Sequence, residues 1–184
     1  YDNAFINETD YNGSFSRTIP EAGVGWSYPL GRNIGSTTVV VEPLANAIAT
    51  PYTKYNKDII NEDSPSSELN DANLFSESRY SGIDLVENTS RISYGLKTSA
   101  YYKDQLNTSI LFGQMYREKP YDYIANTKED RFSDYVSRLK FDFANRFILS
   151  YQFQLDKYTL INKTNEASVR INQDKAYIQS DILY

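Results

Sequence analysis

The chain has 184 residues, a net charge of −5, and neither cysteine nor histidine. That composition excludes a Ser-His triad, a thiolate nucleophile and a zinc site built on thiolate or imidazole. It also leaves no basic run for nucleic acid and no stretch of about 18 apolar residues for a transmembrane helix.

Residues 1–8 read as the end of a strand, and 9–21 as a loop carrying Gly13 and Pro20. Residues 22–30 read as a strand, with Val24, Trp26 and Tyr28 alternating against Gly23, Gly25 and Ser27, and 31–35 as a turn. Residues 36–50 form the next strand, rich in β-branched residues from Thr37 to Val41. Pro43 within it predicts a bulge or an unpaired position. Residues 50–88 make a connection too long for an ordinary turn.

Regular alternation follows. Over 89–102, Ile92, Tyr94, Leu96, Thr98, Ala100 and Tyr102 take one face, and Arg91, Ser93, Gly95, Lys97, Ser99 and Tyr101 the other. Strand 105–117 points Leu106, Thr108, Ile110 and Phe112 outward. Strand 131–143 sets Leu139 and Phe141 outward against Arg138, Lys140 and Asp142. Strand 146–156 sets Phe147, Leu149, Tyr151, Phe153 and Leu155 against Ser150, Gln152 and Gln154. A loop at 158–165, a strand at 166–171, a turn at 172–175 and a strand at 176–184 complete the chain.

These strands imply an all-β fold, an antiparallel meander of about eight strands. Tyr occurs 17 times and Phe 9 times, a heavy aromatic load in a chain of mean hydropathy −0.58. A membrane barrel accounts for both: one face of each strand meets water, the other meets lipid, and aromatics gather at the interfaces. Loop lengths agree. The turns at 31–35, 103–104, 144–145 and 172–175 are short, while 9–21, 50–88, 118–130 and 158–165 are long. Barrels of the outer membrane pair short periplasmic turns with long extracellular loops. Two other readings share parts of this pattern. A soluble, secreted β-sandwich binding carbohydrate through exposed Tyr would cover its apolar face with a second sheet. A passive porin-like channel would share the rhythm alone.

The segment 74–84 is the candidate functional motif: Leu74, Phe75, Arg79, Tyr80, Gly82 and Asp84. Arg79 and Asp84 can pair across a folded-back loop that packs into the barrel mouth or lumen, and an Arg there suits a phosphate-bearing headgroup. The acids Glu62, Asp63, Glu68 and Asp71 lack the spacing of a calcium loop and read as a solvated cluster. No cofactor, metal or catalytic set is expected. Ile92, Leu96, Leu139, Phe141, Phe147, Leu149, Tyr151, Phe153 and Leu155 are the expected lipid-facing set.

The motif also carries a resemblance. LF-x4-RYSG-x-D, then R-I-S-Y-G-L, with Val41-Glu42-Pro43 and Pro51-Tyr52 upstream, resembles the LPS-assembly protein (LptD) family over roughly residues 26–117. Leu85 stands where that family often has a basic residue. The resemblance implies a piece of a large outer-membrane barrel that inserts lipopolysaccharide into the outer leaflet and catalyses no reaction. It implies lipopolysaccharide, outer-membrane lipids, a plug lipoprotein inside the barrel and a periplasmic bridge on a separate N-terminal domain as partners. A chain that begins at Tyr1 without Met and ends at Tyr184 in a strand-like segment fits a piece of a longer protein.

Overall fold

The computed structural model describes residues 4–5, 14–15, 18–52, 69–78, 87, 89–103, 105–119, 130–173 and 176–183. It is all-β. Strands β1 (Ala4–Phe5) and β2 (Ser14–Phe15) pair with each other. The remaining strands form one antiparallel sheet: β3 (Ala22–Ser27), β4 (Leu30–Ile34), β5 (Thr37–Ala49), β6 (Arg91–Tyr102), β7 (Leu106–Arg117), β8 (Tyr135–Phe143), β9 (Phe147–Leu155), β10 (Asn162–Gln173) and β11 (Ala176–Leu183). From β5 to β11 each strand pairs with its chain neighbour, and β3 and β4 lie end to end along β5. The sheet is open. Among the described residues, β11 at one edge has no pairing with β3 or β4 at the other.

Several sequence expectations change, beginning with the loop expected over 9–21, which contains β2. The strand expected over 22–30 is broken at Tyr28-Pro29, and the expected turn at 31–35 is extended chain in β4, so the true turn is Gly35-Ser36. Gly35 takes φ +60° there, which costs glycine nothing. The break falls opposite Pro43, and the Tyr28 N–H still donates to the Pro43 carbonyl at 3.2 Å. The irregularity predicted at Pro43 thus appears in its neighbour, while β5 runs straight through.

The strand expected from 131 begins at Tyr135. Ser133 intervenes: its Oγ accepts the Met115 N–H at 2.9 Å, where a regular ladder would supply a carbonyl. The second half of the loop expected over 158–165 is strand, because β10 begins at Asn162. Its polar start reads as loop, yet Thr164 and Glu166 pair with Gln154 and Gln152 after a register shift between Asn162 and Thr164. What remains is a turn organised by Asp156. Its carboxylate accepts the N–H groups of Thr159 and Tyr158 at 2.8 and 2.9 Å, and these bonds, with the Lys163 ammonium, hold its pKa well below the usual carboxylate range.

The register joins the alternation of individual strands into two continuous faces. Ile92 pairs with Tyr116, Leu96 with Phe112, Ile110 with Leu139, Leu139 with Tyr151, Phe141 with Leu149, and Phe143 with Phe147. All lie on one apolar face. The other face carries Glu42 and Lys97, Arg91 and Arg117, Asn107 and Asp142, and Arg138 and Gln152.

Candidate functional site

Burial is inverted relative to an ordinary globular sheet. On the apolar face, Ile92 is 49% exposed and Leu96 47%, and Leu139, Phe143 and Phe147 are also exposed. On the polar face, Arg91, Ser93, Ser99 and Arg117 are buried. The buried hydrophobic cluster lies on the polar face as well: Leu69, Leu74, Met115 and Val136, with Phe75 packed against it.

The segment 69–78 creates that cluster. It folds locally by reciprocal capping. The Asn70 Oδ1 accepts the N–H groups of Ala72 and Asn73, and the Asn73 Oδ1 accepts the Asn70 N–H at 2.8 Å. The Leu74 N–H donates to the Asn70 carbonyl at 2.9 Å and closes one helical turn. That turn delivers Leu74 and Phe75, side by side in sequence, onto the sheet.

A notch receives them. Gly95 of β6 and Gly113 of β7 are cross-strand partners on the polar face. A Cβ on Gly113 would stand 2.5 Å from Leu74 Cδ2, and one on Gly95 would stand 3.1 Å from Phe75 Cζ. Leu74 is wholly buried in the result, a burial that contributes about 2 kcal/mol.

Polar contacts fasten the same segment at its edges. The Asn46 Nδ2 donates to the Phe75 carbonyl at 3.0 Å, and the Arg91 guanidinium donates to the Glu77 carbonyl. Asp71 pairs with Arg138 at 3.0 Å, and Gln152 turns its amide between the two. Asp71 was expected in a solvated acidic cluster; it is instead buried beneath the segment. Burial raises its pKa, and the Arg138 charge opposes that rise.

A second ionic group lies at the end of β6 and β7 near the long connection. Arg91 and Arg117 are cross-strand partners, a repulsive arrangement by itself. Glu87 lies between them, 3.1 Å from Arg91 Nε and 3.9 Å from Arg117 Nη2, and Glu21 reaches Arg91 at 3.0 Å. All three of Arg91, Glu87 and Arg117 are buried.

Of the sequence-derived motif, Leu74 and Phe75 lie at the centre of this arrangement, while Arg79, Tyr80, Gly82 and Asp84 lie outside the described residues, as do Glu62, Asp63 and Glu68. The nine residues expected to face lipid all lie on the apolar face. Sequence reading missed Gly95 and Gly113 as a pair. The signal was there: Met115 and Val136 are apolar residues on the polar side of their strands, and something must cover them. Among the described residues no cluster of three or more acidic side chains is placed to hold a metal ion.

The arrangement exposes hydrocarbon on one face of the sheet, buries charge on the other, and packs a locked segment over the polar side. The family model for LptD, LPS transport system D, matches residues 2–184. The LPS-assembly protein LptD of Vibrio cholerae serotype O1 is 27% identical over 183 residues, an alignment covering 93% of this chain. The chain spans 23% of the length of that relative.

Proposed function

This chain belongs to the LptD family, LPS transport system D, and from that membership we propose that its sheet is one stretch of the wall of an outer-membrane β-barrel that places lipopolysaccharide in the outer leaflet. The inverted burial carries the reading. A sheet that exposes Ile92, Leu96 and Phe143 while burying Arg91 and Arg117 suits hydrocarbon on its outside and water on its inside. A soluble sandwich would bury the first group. A passive channel gives no account of the family match.

In this reading the polar face lines the lumen and accepts the sugar part of the lipid, while the acyl chains stay in the bilayer. No covalent step is asked of these residues. Ile92, Leu96, Leu139, Phe141, Phe147, Leu149, Tyr151, Phe153 and Leu155 face lipid. Residues 69–78, within the connection 50–88, narrow the lumen at the extracellular end. A plug lipoprotein and a periplasmic bridge are the partners of the whole protein.

The test is a cysteine scan from Phe147 to Asp156 in the full-length protein in membranes, labelled with a water-soluble and a lipid-soluble thiol reagent. The expected result is a reagent preference that flips at every residue from Phe147 to Leu155. If Phe147, Leu149, Tyr151, Phe153 and Leu155 are shielded from both reagents, they face a protein core and the barrel reading falls.

A further inference from the structure

The apolar face is not uniformly high. Along β5 it steps down to Ala45, Ala47 and Ala49. On one side β3 sets Trp26 against Ala45 and Val24 against Ala47; on the other, β6 sets Tyr94 against Ala45 and Ile92 against Ala47. Side chains two apart stand on the same face, so the alanines make a floor and their larger neighbours make two walls. The floor from Ala45 to Ala49 is about 13 Å long at the ordinary strand rise.

The structure contains a hollow of about 570 Å³ at its loop-side end, lined by Val24, Ala47, Ala49, Ile92 and Tyr116, with Ser90 and Glu118 at the end near the loops. Its walls are held in place. The Tyr94 hydroxyl donates to Gln114 Oε1 at 2.6 Å, and the Gln114 Nε2 donates to the Ser133 carbonyl at 2.9 Å. The Tyr116 ring packs on Phe132 with centroids 4.9 Å apart.

We propose that this groove seats one acyl chain of a lipopolysaccharide molecule in the leaflet at the long-loop end of the wall. The inference rests on the membrane-wall reading above. The groove is continuous on both sides with the apolar face, so whatever covers that face also fills it. Its shape, walled along Ala45 and Ala47 and widening at Ala49, where Ala22 is the β3 neighbour, suits an unbranched chain entering from the loop-side end. A polypeptide there would bring backbone groups that the alanine floor cannot satisfy. Beside the loop-side end in sequence is a cation, Lys119, one residue beyond the lining carboxylate Glu118, with its Nζ held 4.5 Å over the Tyr52 ring. Phosphate groups favour such a position.

The test places a diazirine amino acid at Ala49, and in parallel at Leu139, in the full-length protein in native outer membrane, with adducts identified by mass. The expected result is a lipopolysaccharide adduct at Ala49 several-fold above that at Leu139, reduced to the Leu139 level by Ala47→Phe, which fills the groove. Ala47→Leu is the milder filling variant should the first fail to assemble. Equal yields at Ala49 and Leu139 mean ordinary boundary lipid and overturn the site. A phospholipid or polypeptide adduct at Ala49 overturns the occupant. Absence of any lipid adduct at both positions overturns the membrane-wall reading instead.

Discussion

Gly95 and Gly113 face each other across β6 and β7, and the space left by their missing side chains is occupied by Leu74 and Phe75 from a segment that precedes both strands. Glycine weakens a strand interior, so two in register need a reason. Here the reason is close approach of another part of the chain. Gly113→Ala puts a methyl group 2.5 Å from Leu74 Cδ2 and 2.9 Å from the Tyr94 carbonyl oxygen. It should lower stability by about 2 kcal/mol through overpacking. Leu74→Ala should cost about 3 kcal/mol, the usual loss for a buried Leu. In the double variant the losses should fall short of their sum, because truncating Leu74 makes room for the methyl group at position 113. Unfolding of the full-length protein in urea measures all three. Strict additivity would show that Leu74 does not depend on the notch.

Arg91 and Arg117 supply a second test. The two guanidinium groups are cross-strand neighbours with Glu87 between them. Glu87→Gln leaves both positive charges buried with less compensation and should destabilise by about 3 kcal/mol. Replacing Arg91, Glu87 and Arg117 together with Met, Leu and Met should restore most of that loss, since an apolar cluster needs no charge balance. If the triple variant is as unstable as Glu87→Gln, the polar identity of the cluster matters for more than charge neutrality.

Much of the fold was legible in single strands. Alternation from Ile92 to Tyr102 and from Phe147 to Leu155 assigned the two faces correctly, because period two survives any neighbour. Pairing information did not. Residues 31–35 read as a turn on Gly31 and Gly35, but β5 offers Leu30–Ile34 a ladder and that stretch takes the extended form. Asn162–Asn165 reads as loop by composition, yet the ladder extends into it: the Lys163 ammonium lies between Asp134 and Asp156, and Thr164 pairs with Gln154. The docked segment was least legible. Leu74 and Phe75 stood out as a motif, but only register shows that Gly95 opposes Gly113 and that Met115 and Val136 await a cover.

Asp71 makes the docking depend on pH in an unusual direction. Its pKa is raised on folding, chiefly by burial. A carboxylate with a raised folded-state pKa favours the folded state most when protonated, and that contribution fades as pH rises through the folded pKa. The Asp71 contribution to docking of residues 69–78 should therefore strengthen as pH falls from neutral into the upper carboxylate range. Asp71→Asn, uncharged at every pH, should keep the segment docked and flatten that dependence. Arg138→Ala should loosen the segment at neutral pH by about 1 kcal/mol, since half-exposed ion pairs are weak. Proteolysis within 69–78, followed across pH in the full-length protein, reads each case. Faster cleavage of the unmodified protein on acidification would contradict the assignment.

The turn between β8 and β9 offers a way to stabilise the sheet without touching either face. Ala144 and Asn145 both have positive φ, 52° and 55°, and the Arg146 N–H donates to the Phe143 carbonyl at 2.9 Å. This is the two-residue hairpin turn whose twist matches its strands, and Asn-Gly suits it best. Asparagine tolerates the left-handed region, whereas alanine at position 144 pays a steric cost of about 1 kcal/mol. Asn145 already sits where glycine is preferred, and Asn172 Nδ2 donates to its carbonyl at 2.7 Å, a bond to the main chain that survives substitution. The variant Ala144→Asn with Asn145→Gly should therefore stabilise the sheet by about 1 kcal/mol, with the residue 145 N–H still donating to the Asp142 carboxylate. The gain should appear as slower unfolding or a higher midpoint in urea with an unchanged slope. Loss of stability would mean that the methyl group of Ala144 makes a contact worth more than the strain it carries.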